Sequence, residues 1–269
     1  MRDRYRAGFT LVEVMLAAGL LAAIIVVLTD IFPDILRIHS QENLSYQVNW
    51  ETQRILARLK EDIQTAGLRF LPPSTVDGAG NPVLAVETPA QNQLVLRCIS
   101  EVGQLAAQAS SGQTMLSVAG FRNLAEAEAL IWTYEGQSGY QRISLVLNNG
   151  NQVVIQPGLT LSGTRPLPAG TPLVAVRRIE YQINAENFLV RRINGTVTDR
   201  VAIDPTATRF QYTVGTSVQN ALTSSDLDNL RFVNVSLRLV RTAAVPGGRR
   251  VSITGSAVER IAPLNLRGF

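Results

Sequence analysis

Two positions near the start of the 269-residue chain stand out chemically: a carboxylate, Glu13, lies inside an apolar run, and a small residue, Gly8, lies where a charged leader meets that run. An ionised group in hydrocarbon is costly, so an acid placed there marks a function by default. The leader is basic, with Arg2, Arg4 and Arg6 against Asp3. From Phe9 to Leu28 come twenty residues with a single charge, Glu13, and no proline. At about 1.5 Å per residue, a helix of that length covers the roughly 30 Å of a bilayer's hydrocarbon. The basic flank predicts a cytoplasmic N-terminus, with the rest of the chain outside. A secretory signal peptide would place its small-residue cleavage site after an apolar core of about 7–15 residues. Here Gly8 precedes the apolar run, so cutting at Gly8 would remove the leader and keep the anchor.

This order of parts resembles the class III signal sequence of the type IV pilin family: a short basic leader ending in Gly8, then Phe9, Thr10, Leu11, Val12 and Glu13, then an unbroken apolar helix. The resemblance implies cleavage between Gly8 and Phe9 by prepilin peptidase and N-methylation of the new Phe9 amine. It also implies pairing of Glu13 with the α-amine of a neighbouring subunit, which would set the register between helices in a growing filament. The implied partners are other major and minor pilins and an inner-membrane assembly platform. The implied location is the bacterial inner membrane, as a single-pass protein, and then the pilus or cell surface. Within the family, "LARLKEDIQTAGL" and the later "VAIDPTATRFQYTV" and "AVERIAPLNLRG" resemble PilW-like minor pilins; the pseudopilin J family of type II secretion shares the outline.

The elements that hold these residues follow from pattern. Residues 1–8 form the leader and 9–28 the membrane or filament-core helix; 29–67 continue that helix. Leu44, Val48, Ile55, Leu59 and Ile63 recur there mostly at three- to four-residue spacing between polar side chains. Pro33 lacks the donor that a helix interior uses, which predicts a kink or local melting. Gly67 is a suitable stop. Residues 68–269 then change character. After the loop "FLPPSTVDGAGNP", apolar runs bounded by Gly, Asn, Asp or Pro read as strands, with hairpins at Asn149–Gly150 and Ala185–Glu186. "NLAEAEAL" reads as a short helix. In "RFVNVSLRLV", Phe232, Asn234, Ser236 and Arg238 alternate with Val233, Val235, Leu237 and Leu239, giving one wet and one dry face. The fold class is α+β: a long N-terminal helix packed on a β-rich, largely antiparallel head.

Catalytic and metal chemistry find little to work with. The single histidine, His39, lies on the polar side of the helix and reads as solvated. The single cysteine, Cys98, permits no internal disulfide and reads as a buried small hydrophobe in "NQLVLRCIS". Asp226 and Asp228 in "SSDLDN" are the only metal candidates. They lack the glycine and glutamate of a calcium loop, and turn chemistry is the better reading. Asn194–Gly195–Thr196 matches a glycosylation sequon and is treated as a chance match. No cofactor and no enzymatic role are expected.

The net charge is +4, with acids in excess on the helix and arginines in excess in the head. Arginine pairs at 177–178, 191–192 and 249–250 would suit a DNA-uptake or adhesin head tethered to the membrane. However, Lys60 is the only lysine, which points to compositional bias, and adjacent strand residues face opposite ways. The pairs therefore read as ordinary solvated sheet.

Overall fold

The structure is a computed structural model that describes residues 10–67, 86–90, 92–161, 165–223, 226, 229–244 and 250–263. Helix α1 runs from Leu11 to Thr65. It continues through Pro33 without interruption, so the expected local melting does not occur. A proline removes one donor, and the turns on either side keep theirs. Gly67 follows the helix with φ 152, and its N–H bonds to the Arg97 carbonyl at 3.0 Å.

Thirteen strands follow among the described residues: β1 (Val86–Ala90), β2 (Gln93–Leu105), β3 (Met115–Ala119), β4 (Ala129–Tyr134), β5 (Gln137–Leu147), β6 (Gln152–Gln156), β7 (Pro172–Ile183), β8 (Phe188–Ile193), β9 (Thr196–Ala202), β10 (Arg209–Val214), β11 (Ser217–Gln219), β12 (Leu230–Ala244) and β13 (Arg250–Ile261). The segment read as a short helix is only a 3-10 turn, Leu124–Glu126. Both expected hairpins form: Leu147 pairs with Gln152 across Asn149–Gly150, and Ile183 pairs with Leu189 across the Ala185–Glu186 turn.

The chain divides into two compact units. The first comprises residues 1–49 and 240–254; within it, the Thr242 and Ser252 hydroxyls meet at 2.7 Å. The second comprises 50–239 and 255–269 and contains most of the head.

In that second unit the larger sheet is antiparallel throughout, in the order β1-β2-β3-β6-β5-β4-β7-β8-β9, and β2 pairs with β7 as well. That extra pairing closes a ring, β2-β3-β6-β5-β4-β7, so six strands form a small barrel. Its interior is apolar: Leu105, Leu116, Val118, Leu130, Trp132, Val153, Ile155 and Leu173 form one buried cluster. Closure removes the free edges that an open sheet would leave to these strands. The smaller sheet has the order β11-β10-β12-β13. Along β12 the expected alternation holds, with Val233, Val235, Leu237 and Leu239 buried and Phe232, Asn234 and Ser236 half-buried.

The end of α1 packs on the head through Ile55, Leu59 and Ile63, all buried as the periodicity predicts, joined by Thr52, Leu56, Asp62 and Ala66. Ala66 bridges to Cys98 on β2. Leu94 and Leu96 of β2 and Ile179 and Tyr181 of β7 are buried as well, and hydrogen bonds join Asp62 to Cys98 and Tyr181.

Candidate functional site

Gly8 and Phe9, the processing residues, lie outside the described residues. Thr10 and Glu13, immediately after them, form a reciprocal cap. The Thr10 N–H donates to Glu13 Oε2 at 2.9 Å, and the Thr10 hydroxyl donates to the same oxygen at 3.0 Å. The Glu13 N–H donates back to Thr10 Oγ1 at 3.3 Å. This is a capping box: Thr10 is the N-cap and Glu13 the third helical residue, so the Thr10 and Glu13 N–H groups find partners. The pattern T-x-x-E ahead of an apolar run is legible in the sequence, whereas the pilin resemblance implies only an intermolecular role for the acid. The carboxylate also lies at the positive end of the helix dipole, which favours its charge.

Beyond the cap, α1 exposes apolar side chains on all sides: Leu11, Leu16, Leu20, Ile24, Leu28, Ile31 and Phe32 are each about half exposed or more. The helix is long and apolar enough to cross a membrane. A surface of this kind requires lipid or neighbouring helices around it.

Residues 3–29 match the model of the prokaryotic N-terminal methylation motif. The chain carries the class III signal sequence of type IV pilins. The pilin motif supports a type IV pilin-like or pseudopilin protein, and its apolar helix is consistent with single-pass membrane anchoring. Such a signal implies processing by prepilin peptidase and assembly with other pilins. A search of curated proteins found no match to the chain.

Where the pilin-type helix meets the head, sequence reasoning missed an ionic anchor. Asp62 is 3% exposed and Arg191 of β8 is 8% exposed. Arg191 holds Asp62 with two nitrogens, Nε to Oδ2 at 2.9 Å and Nη2 to Oδ1 at 3.2 Å. The Tyr181 hydroxyl donates to Asp62 Oδ2 at 2.6 Å, and Arg191 Nη1 donates to Thr198 at 3.1 Å. Burial first, and then the neighbouring Asp62 carboxylate, push the Tyr181 phenol well above its ordinary range, so it stays a neutral donor. Nearby, Asp199 of β9 takes Arg58 at 3.0 Å and Arg54 at 3.8 Å. The reading of Arg191 as solvated sheet is corrected: its fork is buried because Asp62 faces it. One signal pointed to this arrangement. Asp62 sits three residues after Leu59 and seven after Ile55, on the apolar stripe itself, where an acid needs a partner.

Arg177 and Arg178 are half-buried rather than solvated, a further correction to that reading. Arg178 pairs with Glu180 at 3.0 Å, and Arg192 reaches Glu180 at 3.7 Å and Gln182 at 2.7 Å. Arg249 lies outside the described residues. Cys98 is fully buried, its thiol pushed up to about 11, chiefly by burial. His39 is exposed and lies 3.3 Å from Asn43. Asp226 accepts from the Thr223 hydroxyl at 2.6 Å and from its N–H at 2.8 Å, bonds that hold the carboxyl below its usual range. Asp228 lies outside the described residues. Among the described residues, no group of three or more His, Cys, Asp or Glu side chains is placed to hold a metal.

Proposed function

We propose that this chain is a minor type IV pilin, a structural rather than catalytic subunit. In this reading it is cleaved between Gly8 and Phe9, methylated at Phe9, and assembled with other pilins in a small complex at or near a filament tip. The observation that carries the reading is the methylation motif on a helix whose membrane-length part is exposed and apolar. In this reading Glu13, held by Thr10 at the first turn, receives a neighbour's N-terminal amine. Size supports the tip. The head of about 202 residues has an expected radius of gyration near 16–17 Å, against about 13 Å for 100 residues. Packing such heads at every step of a shaft demands matched heterologous contacts on all sides. A tip subunit needs partners on fewer sides and can initiate assembly.

Quantitative proteomics and immunogold labelling of sheared filaments test this placement. Scarcity and label at fibre ends are expected; near-stoichiometric abundance with label along the fibre makes the chain a shaft subunit. The same motif serves type II secretion, and a pseudopilin role is the second reading. Loss of pili with intact secretion in a deletion strain favours the first, and the reverse favours the second.

A further inference from the structure

A groove opens in the second unit where the turn after β7 meets the turn before β10. Its volume is about 440 Å³, within the range of small-ligand sites. Asn184 and Ala185 line it from the first turn, and the Ile183 N–H holds Asn92 beside them by donating to its carbonyl at 2.8 Å. Pro205, Thr206 and Arg209 line it from the second. Backbone bonds fix the two turns: the Ile203 N–H donates to the Asn187 carbonyl at 2.9 Å, and the Thr208 N–H to the Asp204 carbonyl at 2.9 Å.

The bonds these side chains already make determine what each can still offer. Asn184 Oδ1 accepts from the N–H groups of Glu186 at 3.1 Å and Phe188 at 2.9 Å, so its oxygen is occupied and its NH2 group is left to donate. The Thr206 hydroxyl donates to Asp204 Oδ1 at 2.6 Å, which leaves its oxygen to accept. The Thr208 hydroxyl is engaged, donating to the Arg238 carbonyl at 3.3 Å and accepting from the Arg238 N–H at 3.1 Å. Arg209 is exposed, and no carboxylate lies within ion-pair distance of it among the described residues. No acid lines the groove, and the acids next to it in sequence are committed: Asp204 to Thr206 and, at 3.6 Å, to Arg238, and Glu186 to Arg200. Ile183, Ala185 and Pro205 supply the apolar part of the lining.

We propose that this groove binds the C-terminal end of an extended peptide, with the free α-carboxylate at Arg209. Three features select that ligand. A carboxylate accepts a guanidinium fork in two parallel bonds, the Asn184 amide adds a neutral donor to the same groove, and no acid in the lining competes. The last N–H of a peptide requires an acceptor, which the Thr206 oxygen provides, whereas a simple organic acid has no such group to place there. The apolar side chain of a last residue such as valine packs against Ile183, Ala185 and Pro205. The groove is open to solvent, so the rest of the peptide leaves it unhindered; capture of a terminal carboxylate is a recurring mode of peptide recognition. This inference is independent of the assembly reading: either can fail without the other.

The test is fluorescence anisotropy of the full chain in neutral detergent with a labelled pentapeptide, Gly-Ser-Gly-Ala-Val, carrying a free C-terminus. The same peptide as its C-terminal amide is expected to bind at least about tenfold more weakly, the loss of a charge-assisted pair. Arg209→Gln should weaken binding of the free acid by a similar factor and leave binding of the amide unchanged. Asn184→Asp keeps an oxygen for the Glu186 and Phe188 N–H groups, so the turn stands, and puts a repelling acid where the free NH2 was. It should weaken the free acid at least as much. Arg231→Gln removes the same charge from an exposed arginine of β12 outside the groove and should change nothing. Wild-type binding that is absent, or equal for acid and amide, overturns the proposal, as does equal binding of the acid by wild type and Arg209→Gln at matched melting temperatures. So does competition by butyrate as effective as that by the unlabelled peptide, which would make the ligand a simple organic acid. Crosslinking of Arg209→Gln to other pilins reports on assembly separately.

Discussion

Asp62 and Arg191, 129 residues apart in sequence, meet in a buried two-pronged ion pair that ties α1 to β8. The pair is desolvated and fully engaged, so its two halves are not interchangeable with solvent. Removing one partner strands a buried charge, which typically costs about 3–5 kcal/mol, whereas replacing both with apolar side chains of similar volume is often neutral. Arg191→Met alone should therefore lower the chemical-denaturation midpoint sharply. The double variant Asp62→Leu, Arg191→Met should recover most of the loss. Additive losses in that mutant cycle would mean that the pair is not coupled.

Alkaline pH should weaken the head through its buried acids, Cys98 and Tyr140 besides Tyr181. The Cys98 thiol is raised from 9.0 to about 11 and the Tyr140 phenol from 10.0 to about 12, chiefly by burial in both cases. A group raised on folding contributes its stability fully below the unfolded value and loses it as pH climbs to the folded one. Stability should thus be flat up to about pH 9 and fall between about pH 9 and 12, and Cys98→Ala should flatten the lower part of that fall. Native Cys98 should also resist iodoacetamide at pH 8 and react once the chain is unfolded. Rapid native alkylation would contradict its burial.

Processing gives a direct mass measurement. Gly8→Leu should block leader removal and leave precursor in the membrane. The wild-type mature protein should begin with methylated Phe9. An intact Met1 in assembled material would exclude the processing scheme.

Glu13 and Thr10 can be separated by substitution. Glu13→Val should leave insertion and cleavage largely intact, because the span becomes more apolar, while reducing incorporation with partner pilins. Thr10→Val removes the hydroxyl of the cap and keeps the carboxylate. If Glu13 acts on a neighbour's amine, Thr10→Val should assemble better than Glu13→Val. If its role is only to cap its own helix, the two variants should fail alike in quantitative co-purification.

How much of this was legible in the residues depended on the range of the interaction. The leader, the anchor and the acid were readable because membrane insertion and peptidase recognition act on contiguous stretches, and residues 3–29 match the methylation motif on that basis. The helix stripe at Ile55, Leu59 and Ile63, the hairpins at Asn149–Gly150 and Ala185–Glu186 and the two faces of β12 were readable as well, since periodicity and turn residues are local. Strand β9 is too polar to read as an apolar run, although Asn194 and Gly195, with φ of 48 and 86, make the tight turn that pairs Ile193 with Thr196. That turn lies within the three residues that match a sequon. The closing of six strands into a ring and the burial of Arg191 against Asp62 were decided by tertiary structure alone. Both depend on which distant segments meet, and one arginine looks like another in sequence until the fold gives it a carboxylate.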